Sequence, residues 1–283
     1  MATLTEAAVR GVPSAAPQVL TLMNRTLRDR WRSTFGWGLA LVMMAILQLS
    51  VYPSVAKSSA NMQAFVDEWP DAFRQAFNLD AYTTGAGFLN AEMFSMMVPL
   101  VLIAVATTGA AAATAGEEER GTADLLLSLP ISRGRVLLAK VLATVLALTA
   151  VAVATYLTIL IGAPLVDLDV SASHLASAVL MVMLLAMVFG AVTLALAAVT
   201  GRRGVALGAG VGLALTAFLL NALAPMASWL EPWQKVSPFH WALGDNPLVN
   251  GLDGPMAALM LAVVAVLVVA AWVVYERKDI GGR

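Results

Sequence analysis

The sequence predicts an all-α integral membrane protein with six transmembrane helices, and three observations carry that expectation. Hydrophobic residues make up 60% of the chain and charged residues only 12%, against about 25% charged in a soluble globular domain; mean hydropathy is +0.81. Six stretches carry no charge for the roughly 20 residues that a helix needs to cross a hydrocarbon core: 33–56, 93–115, 141–163, 175–200, 205–224 and 255–275. Alternating segments of about 10 residues, the mark of an outer-membrane barrel, do not occur, so helices must satisfy the backbone polar groups within lipid.

The elements follow in order. Before the first span, Leu20, Met23, Leu27 and Trp31 share one helical face while Arg25, Arg28 and Arg32 lie on another, the pattern of an amphipathic helix over 17–32 lying in the headgroup plane. The alternative is a cytosolic helix packed on the protein's own loops. No short apolar core with a small-residue cleavage site precedes it, so the first span is expected to be retained. Between spans one and two, the outer segment 57–92 places Met62, Phe65, Val66, Trp69, Phe73 and Phe77 at helical spacing. Pro70 should split it into two short helices, an outer cap or a membrane anchor.

Spans two and three are joined by 116–139, a charged island. Spans four and five are joined only by Gly201-Arg-Arg-Gly204, which makes them an antiparallel hairpin. Gly204, Gly208 and Gly212 recur every four residues in span five and suit close helix approach. The last outer segment, 225–254, mixes Trp229, Trp233, Phe239 and Trp241 with Pro225, Pro232, Pro238 and Pro247. Aromatic residues belong at a membrane interface and the prolines forbid one long helix, so two short helices dipping toward the bilayer are expected, or an external loop with an aromatic belt. Residues 276–283 form a tail.

Orientation rests on the cations. With a cytosolic N-terminus, all of the 17 Lys and Arg residues except Lys57, Arg74 and Lys235 fall on inner segments; the cytosolic bias of Lys and Arg therefore assigns both termini to the cytosol. The net charge of −1 conceals this segregation, and no basic patch with interleaved aromatics points to nucleic acid. With no cysteine in the chain, disulfides and thiolate metal sites are excluded.

Chemistry is sparse. No G-x-x-x-x-G-K-[ST] phosphate loop occurs, so the chain should not hydrolyse ATP itself, and His174 and His240 lie on separate outer segments with no metal-ligand spacing. His240 and Asp245 fit the H-x-x-x-x-D spacing of glycerolipid acyltransferases, in which a carboxylate orients a histidine base; a membrane acyltransferase is thus the enzyme alternative. The absence of charge within the spans disfavours ion-coupled transport. Gln48, Thr107, Thr108 and Asn221 are candidates to line a translocation path, although hydrogen bonding between helices is the commoner reason for such residues.

The charged island resembles a known family. Glu117, Glu118, Glu119, Arg120, Gly121 and Thr122, followed by Asp124, Leu125, Leu126, Leu127, Pro130, Ile131, Ser132 and Arg133, are similar to the E-x-E-x-G-T-x-E-x-L-L-x-x-P-I-S-R loop of ATP-binding-cassette type-2 permeases. Asp124 stands where that family usually carries Glu. Residues 237–251 and 275–280 are similar to the closing segments of actinobacterial-type drug-export permeases. The resemblance implies an exporter of hydrophobic or amphipathic compounds built from a permease dimer, homodimeric or heterodimeric, and two separate ATPase subunits that hold ATP and Mg, with no cofactor in this chain. It also implies that Glu117, Glu118, Glu119, Arg120, Gly121, Thr122, Leu125, Leu126, Pro130 and Arg133 form the coupling site. The residues agree physically: carboxylates at a helix start are favourable, and a leucine ridge ended by Pro130 suits a partner's cleft or, alternatively, the protein's own bundle. A third reading, a permease that relays force to external partners without transport, needs larger outer segments than these.

Overall fold

A computed structural model describes residues 15–58, 68–70, 74, 84–118 and 132–277. Among them there is no strand, and six helices are long and apolar enough to cross a membrane. These are α1 (Ala15–Lys57), α3 (Met97–Glu118), α4 (Arg133–Gly162), α5 (Ala172–Thr200), α6 (Arg203–Leu223) and α10 (Gly254–Arg277). The short helix α2 (Gly85–Leu89) precedes α3. Three more, α7 (Glu231–Gln234), α8 (Pro238–Leu243) and α9 (Pro247–Asn250), lie between α6 and α10.

α5 is the axis of the bundle. It touches α3, α10, α6 and α4, while α1 packs mainly on α4. Leu175, Ala178, Val182, Leu185 and Phe189 of α5 are buried with Val98, Leu102 and Val105 of α3. Large apolar residues also face outward, including Phe35, Met43 and Leu47 on α1 and Val266 and Val269 on α10; a lipid-facing surface accounts for them, since hydrocarbon is as apolar as they are.

Three expectations change. The entry helix and first span are one continuous 43-residue helix, about 64 Å along its axis at the usual rise, so no break separates a flat interfacial helix from a span. Residues 18–35 hold neither Pro nor Gly, and nothing in the chain stops the helix where the charges end. The second change is at the entry to α3. Phe88 and Leu89 of α2, then Met93 and Phe94 of a π turn over Asn90–Phe94, are fully buried, although the sequence places most of this stretch outside. Thr84 caps α2 by accepting from the Gly87 N–H at 3.0 Å, and Glu92 Oε2 accepts from Gln48 Nε2 of α1 at 3.2 Å. A carboxylate met by an amide can sit beside the bundle, so burial begins ahead of the uncharged stretch, while the spanning helix itself starts at Met97.

Third, the last outer segment forms three short helices rather than two. Each opens with proline in its first turn, where a missing N–H costs nothing. α8 and α9 both pack on α5. Phe239 lies between Phe189 and Phe218, with ring centroids 5.8 and 5.5 Å away. Ser237, 1% exposed, donates to the Ala217 carbonyl of α6 at 2.9 Å and caps the Phe239 N–H. Trp229 and Trp233 stay exposed. The predicted pieces of the segment around Pro70 lie mostly outside the described residues.

The hairpin of α5 and α6 closes at Gly201, whose φ of +64° lets its N–H reach the Ala197 carbonyl, a glycine cap. The glycine that seats α6 on α5 is Gly210, whose Cα rests against Thr193 with no room for a Cβ. Among the described residues nothing lies against Gly204, Gly208 or Gly212, so their predicted close approach is not to a described helix.

Candidate functional site

Glu119, Arg120, Gly121, Thr122, Leu125, Leu126 and Pro130 lie outside the described residues, as do the side chains of Glu117 and Glu118, the last residues of α3. What the structure defines is the frame on which this segment is mounted. It leaves α3 at Glu118 and enters α4 at Ser132 and Arg133, Ser132 being extended with φ −67° and ψ 145°.

Four helices hold that frame. Lys140 of α4 is 8% exposed, and its Nζ donates to the Ala113 carbonyl of α3 at 3.0 Å, fixing the two helix ends that flank the segment. Arg135 Nη1 donates to Gln18 Oε1 of α1 at 3.5 Å. Gly134 is enclosed by α10: a Cβ there would lie 2.6 Å from Trp272 and 2.8 Å from Glu276. Gly109 of α3 plays the same part for α1, since a Cβ would lie 2.8 Å from Arg30 Nη1 and 2.5 Å from Thr144. The Arg30 guanidinium crosses above Gly109 and donates to Thr144 Oγ1 at 3.5 Å. These contacts join α3 and α4 to α1 and α10, and close packing of this kind passes strain between helices.

Sequence reasoning misses Gly109, Gly134 and the Arg30 crossing. A glycine in an alanine-rich span is the one available signal at Gly109. The need for Gly134 comes from Trp272, far along the chain, and has no local mark.

Among the described residues no hydrogen bond joins the four candidate path residues to one another. Gln48 pairs with Glu92. Thr107 and Thr108 donate to the Ile103 and Ala104 carbonyls of their own helix at 2.8 and 2.6 Å, a bond that helical threonines commonly make. Asn221 sits near the end of α6, where its carbonyl accepts from Gln234 Nε2 at 3.1 Å; its buried Oδ1 meets no donor among the described residues. None of them lines the following cavities. One of about 60 Å³ lies among Ala106, Val145, Leu148, Gly190 and Val268. A groove of about 520 Å³ between α1 and α4 is lined by Trp31, Phe35, Leu39, Val42, Leu146 and Val151. The third, of about 190 Å³, holds charged groups from α1, α4 and α6.

Asp245 is used locally, its carbonyl and Oδ1 accepting from Asn250 Nδ2 at 2.6 and 3.3 Å. Among the described residues no hydrogen bond joins it to His240. Burial, and then the nearby Lys235, push the His240 imidazole below its ordinary value.

Among the described residues no group of His, Cys, Asp or Glu is arranged to hold a metal. The sequence profile of the ABC-2 family transporter proteins matches residues 20–280. No curated protein matches the chain significantly.

Proposed function

The chain belongs to the ABC-2 transporter family, and from that membership we propose that it is a membrane-embedded permease subunit that exports a hydrophobic or amphipathic compound and leaves ATP hydrolysis to other subunits. Two copies of this chain and two separate ATPase subunits, which bind ATP and Mg, would make the transporter. The carrying observation is the frame around the 119–131 segment: its two ends are locked to each other by Lys140 and Ala113 and to α1 and α10 at Arg135 and Gly134. A partner that grips Glu117, Glu119 and the leucine ridge moves four helices at once.

The apolar groove between α1 and α4 favours a bilayer-soluble cargo over a hydrated ion, since its lining offers almost no hydrogen-bonding group. A drug or a lipid-like compound satisfies that chemistry equally. The open stripe of Gly204, Gly208 and Gly212 on α6 supports the second copy: it is an unfilled surface of the kind on which membrane helices pair. The cation-rich helix ends gather at one end of the bundle, which supports the cytosolic placement of the coupling segment.

The test is reconstitution of the permease with the ATPase that co-purifies from native membranes. Charge reversal at Glu117 and Glu119 (Glu117→Lys, Glu119→Lys) is expected to leave basal ATP hydrolysis and abolish most compound movement. Unimpaired transport by the charge-reversed complex would overturn the coupling assignment, and ATP hydrolysis by the permease alone would overturn the division of labour.

A further inference from the structure

We propose that the groove between α1 and α4 seats one anionic phospholipid, with an acyl chain lying along the groove and the phosphate at Arg28 and Arg32. The inference rests on the groove and its cations alone and holds whatever compound the chain moves.

Shape is the first reason. Trp31, Phe35 and Leu39 of α1 and Leu146 and Val151 of α4 form the walls, and the small residues Gly38, Ala150 and Ala154 leave the space between them open. That space is about 520 Å³, and Thr34 carries the only hydroxyl among the described lining residues. The two helices run in the same direction: Arg30 meets Thr144, a Cβ on Gly38 would lie 3.7 Å from Val151, and Leu49 packs on Gly162. Thr34 to Val42 is therefore nearly level with Leu146 to Ala154, each stretch about 12 Å long at the usual helical rise. Half of a hydrocarbon core of about 30 Å is about 15 Å deep, so the groove follows an acyl chain through most of one leaflet.

The position of charge is the second. Arg28, Arg32, Phe35 and Leu39 succeed one another at spacings of four, three and four residues, so both arginines lie on the stripe of α1 that continues into the groove wall. Arg32 is the last charged residue before the uncharged stretch 33–56, which puts it level with the headgroups where the acyl chain begins. Its guanidinium lies over the Trp31 ring, 5.8 Å from the centroid, so the ring that walls the groove also holds a cation at its mouth. Among the described residues no carboxylate pairs with Arg28 or Arg32; the neighbouring Asp29 lines the separate cavity that Arg30 enters. Arginine stays charged at any physiological pH and its guanidinium binds phosphate oxygens in pairs. An apolar face alone accepts any lipid, whereas a groove that ends at two arginines selects one charge sign.

The full chain is placed in phosphatidylcholine nanodiscs carrying phosphatidylglycerol, and the phosphatidylglycerol retained after release into detergent is counted by native mass spectrometry. Arg32 and Ala150 are both exposed, so each variant should fold. Arg32→Gln is expected to weaken retention about fivefold, the equivalent of about 1 kcal/mol for one cation at a membrane surface. Ala150→Phe, which puts a ring into the groove, is expected to weaken it by a similar factor. Arg202→Gln and Ala40→Phe alter exposed residues that do not line the groove and should retain the lipid as the unaltered chain does. Loss in Arg32→Gln with none in Ala150→Phe would leave a headgroup contact without a seated chain and overturn the groove. Loss in Ala150→Phe alone would overturn the anionic choice, and equal effects in the controls, or no preference for phosphatidylglycerol over phosphatidylcholine, would overturn the site. The same spectra count chains: a dimer lost in Ala150→Phe with lipid retention intact would give the groove to a second copy and overturn the lipid.

Discussion

At the scale of single residues, the chain relies on absences of side chain. Gly109 lets a guanidinium cross a helix, Gly134 lets α10 close on α4, and Gly210 seats α6 on Thr193. These are contacts between separate helices, so they leave no periodic signal; Arg30 is visible in the sequence, its crossing over Gly109 is not. His240 shows another limit of local reading. Its spacing from Asp245 suggests catalysis, but Asp245 serves the turn to Asn250. What His240 contributes is a pH dependence. Its folded pKa lies below the unfolded value because burial, then Lys235, disfavours the charged form. As pH falls below about 6.5 the unfolded chain takes up a proton that the folded chain resists, so stability declines with acidification through the interval between the two values. His240→Gln should therefore lose less thermal stability than the unaltered protein when moved from about pH 7.5 to about pH 5.5 in detergent. An equal drop in both proteins would remove His240 from this account.

At the scale of elements, absence of charge locates all six spanning helices, because lipid penalises an unpaired charge wherever it sits. It does not reveal what packs ahead of a span: Glu92 is met by Gln48, and the buried run of α2 and the π turn precedes α3. The prolines of 225–254 are legible as breaks, and the structure makes each a helix start; the burial of Phe239 against Phe189 and Phe218 depends on α5 and α6 and is not. In α6 the repeating glycines and the packing glycine are different residues. Gly210→Val is expected to destabilise the bundle by about 1–3 kcal/mol, the usual cost of overpacking, measured by unfolding in mixed micelles. Gly208→Val, on the open face, should be nearly neutral in the same measurement made on dissociated single copies, where no second copy packs on α6. The reverse order would mean that α6 is rotated from the orientation described.

For the whole molecule, the sequence conveys class, topology and family resemblance, and the structure adds which ends are joined. Pairing of two copies along α6 can be tested directly, since the chain has no cysteine. A single Gly208→Cys substitution should give disulfide-linked dimers under mild oxidation in membranes, and the same substitution at Gly210, which faces Thr193, should not. Linkage of neither would place the second copy elsewhere. The Arg30 crossing also has a consequence in time. A ribosome makes α1 before α3 and α4, yet the residues that receive its guanidinium, Gly109 and Thr144, belong to those later helices, and the main partner of α1 is α4. During synthesis α1 therefore cannot complete these contacts until α4 has emerged. A helix made before its partners is among the later ones to find its seat.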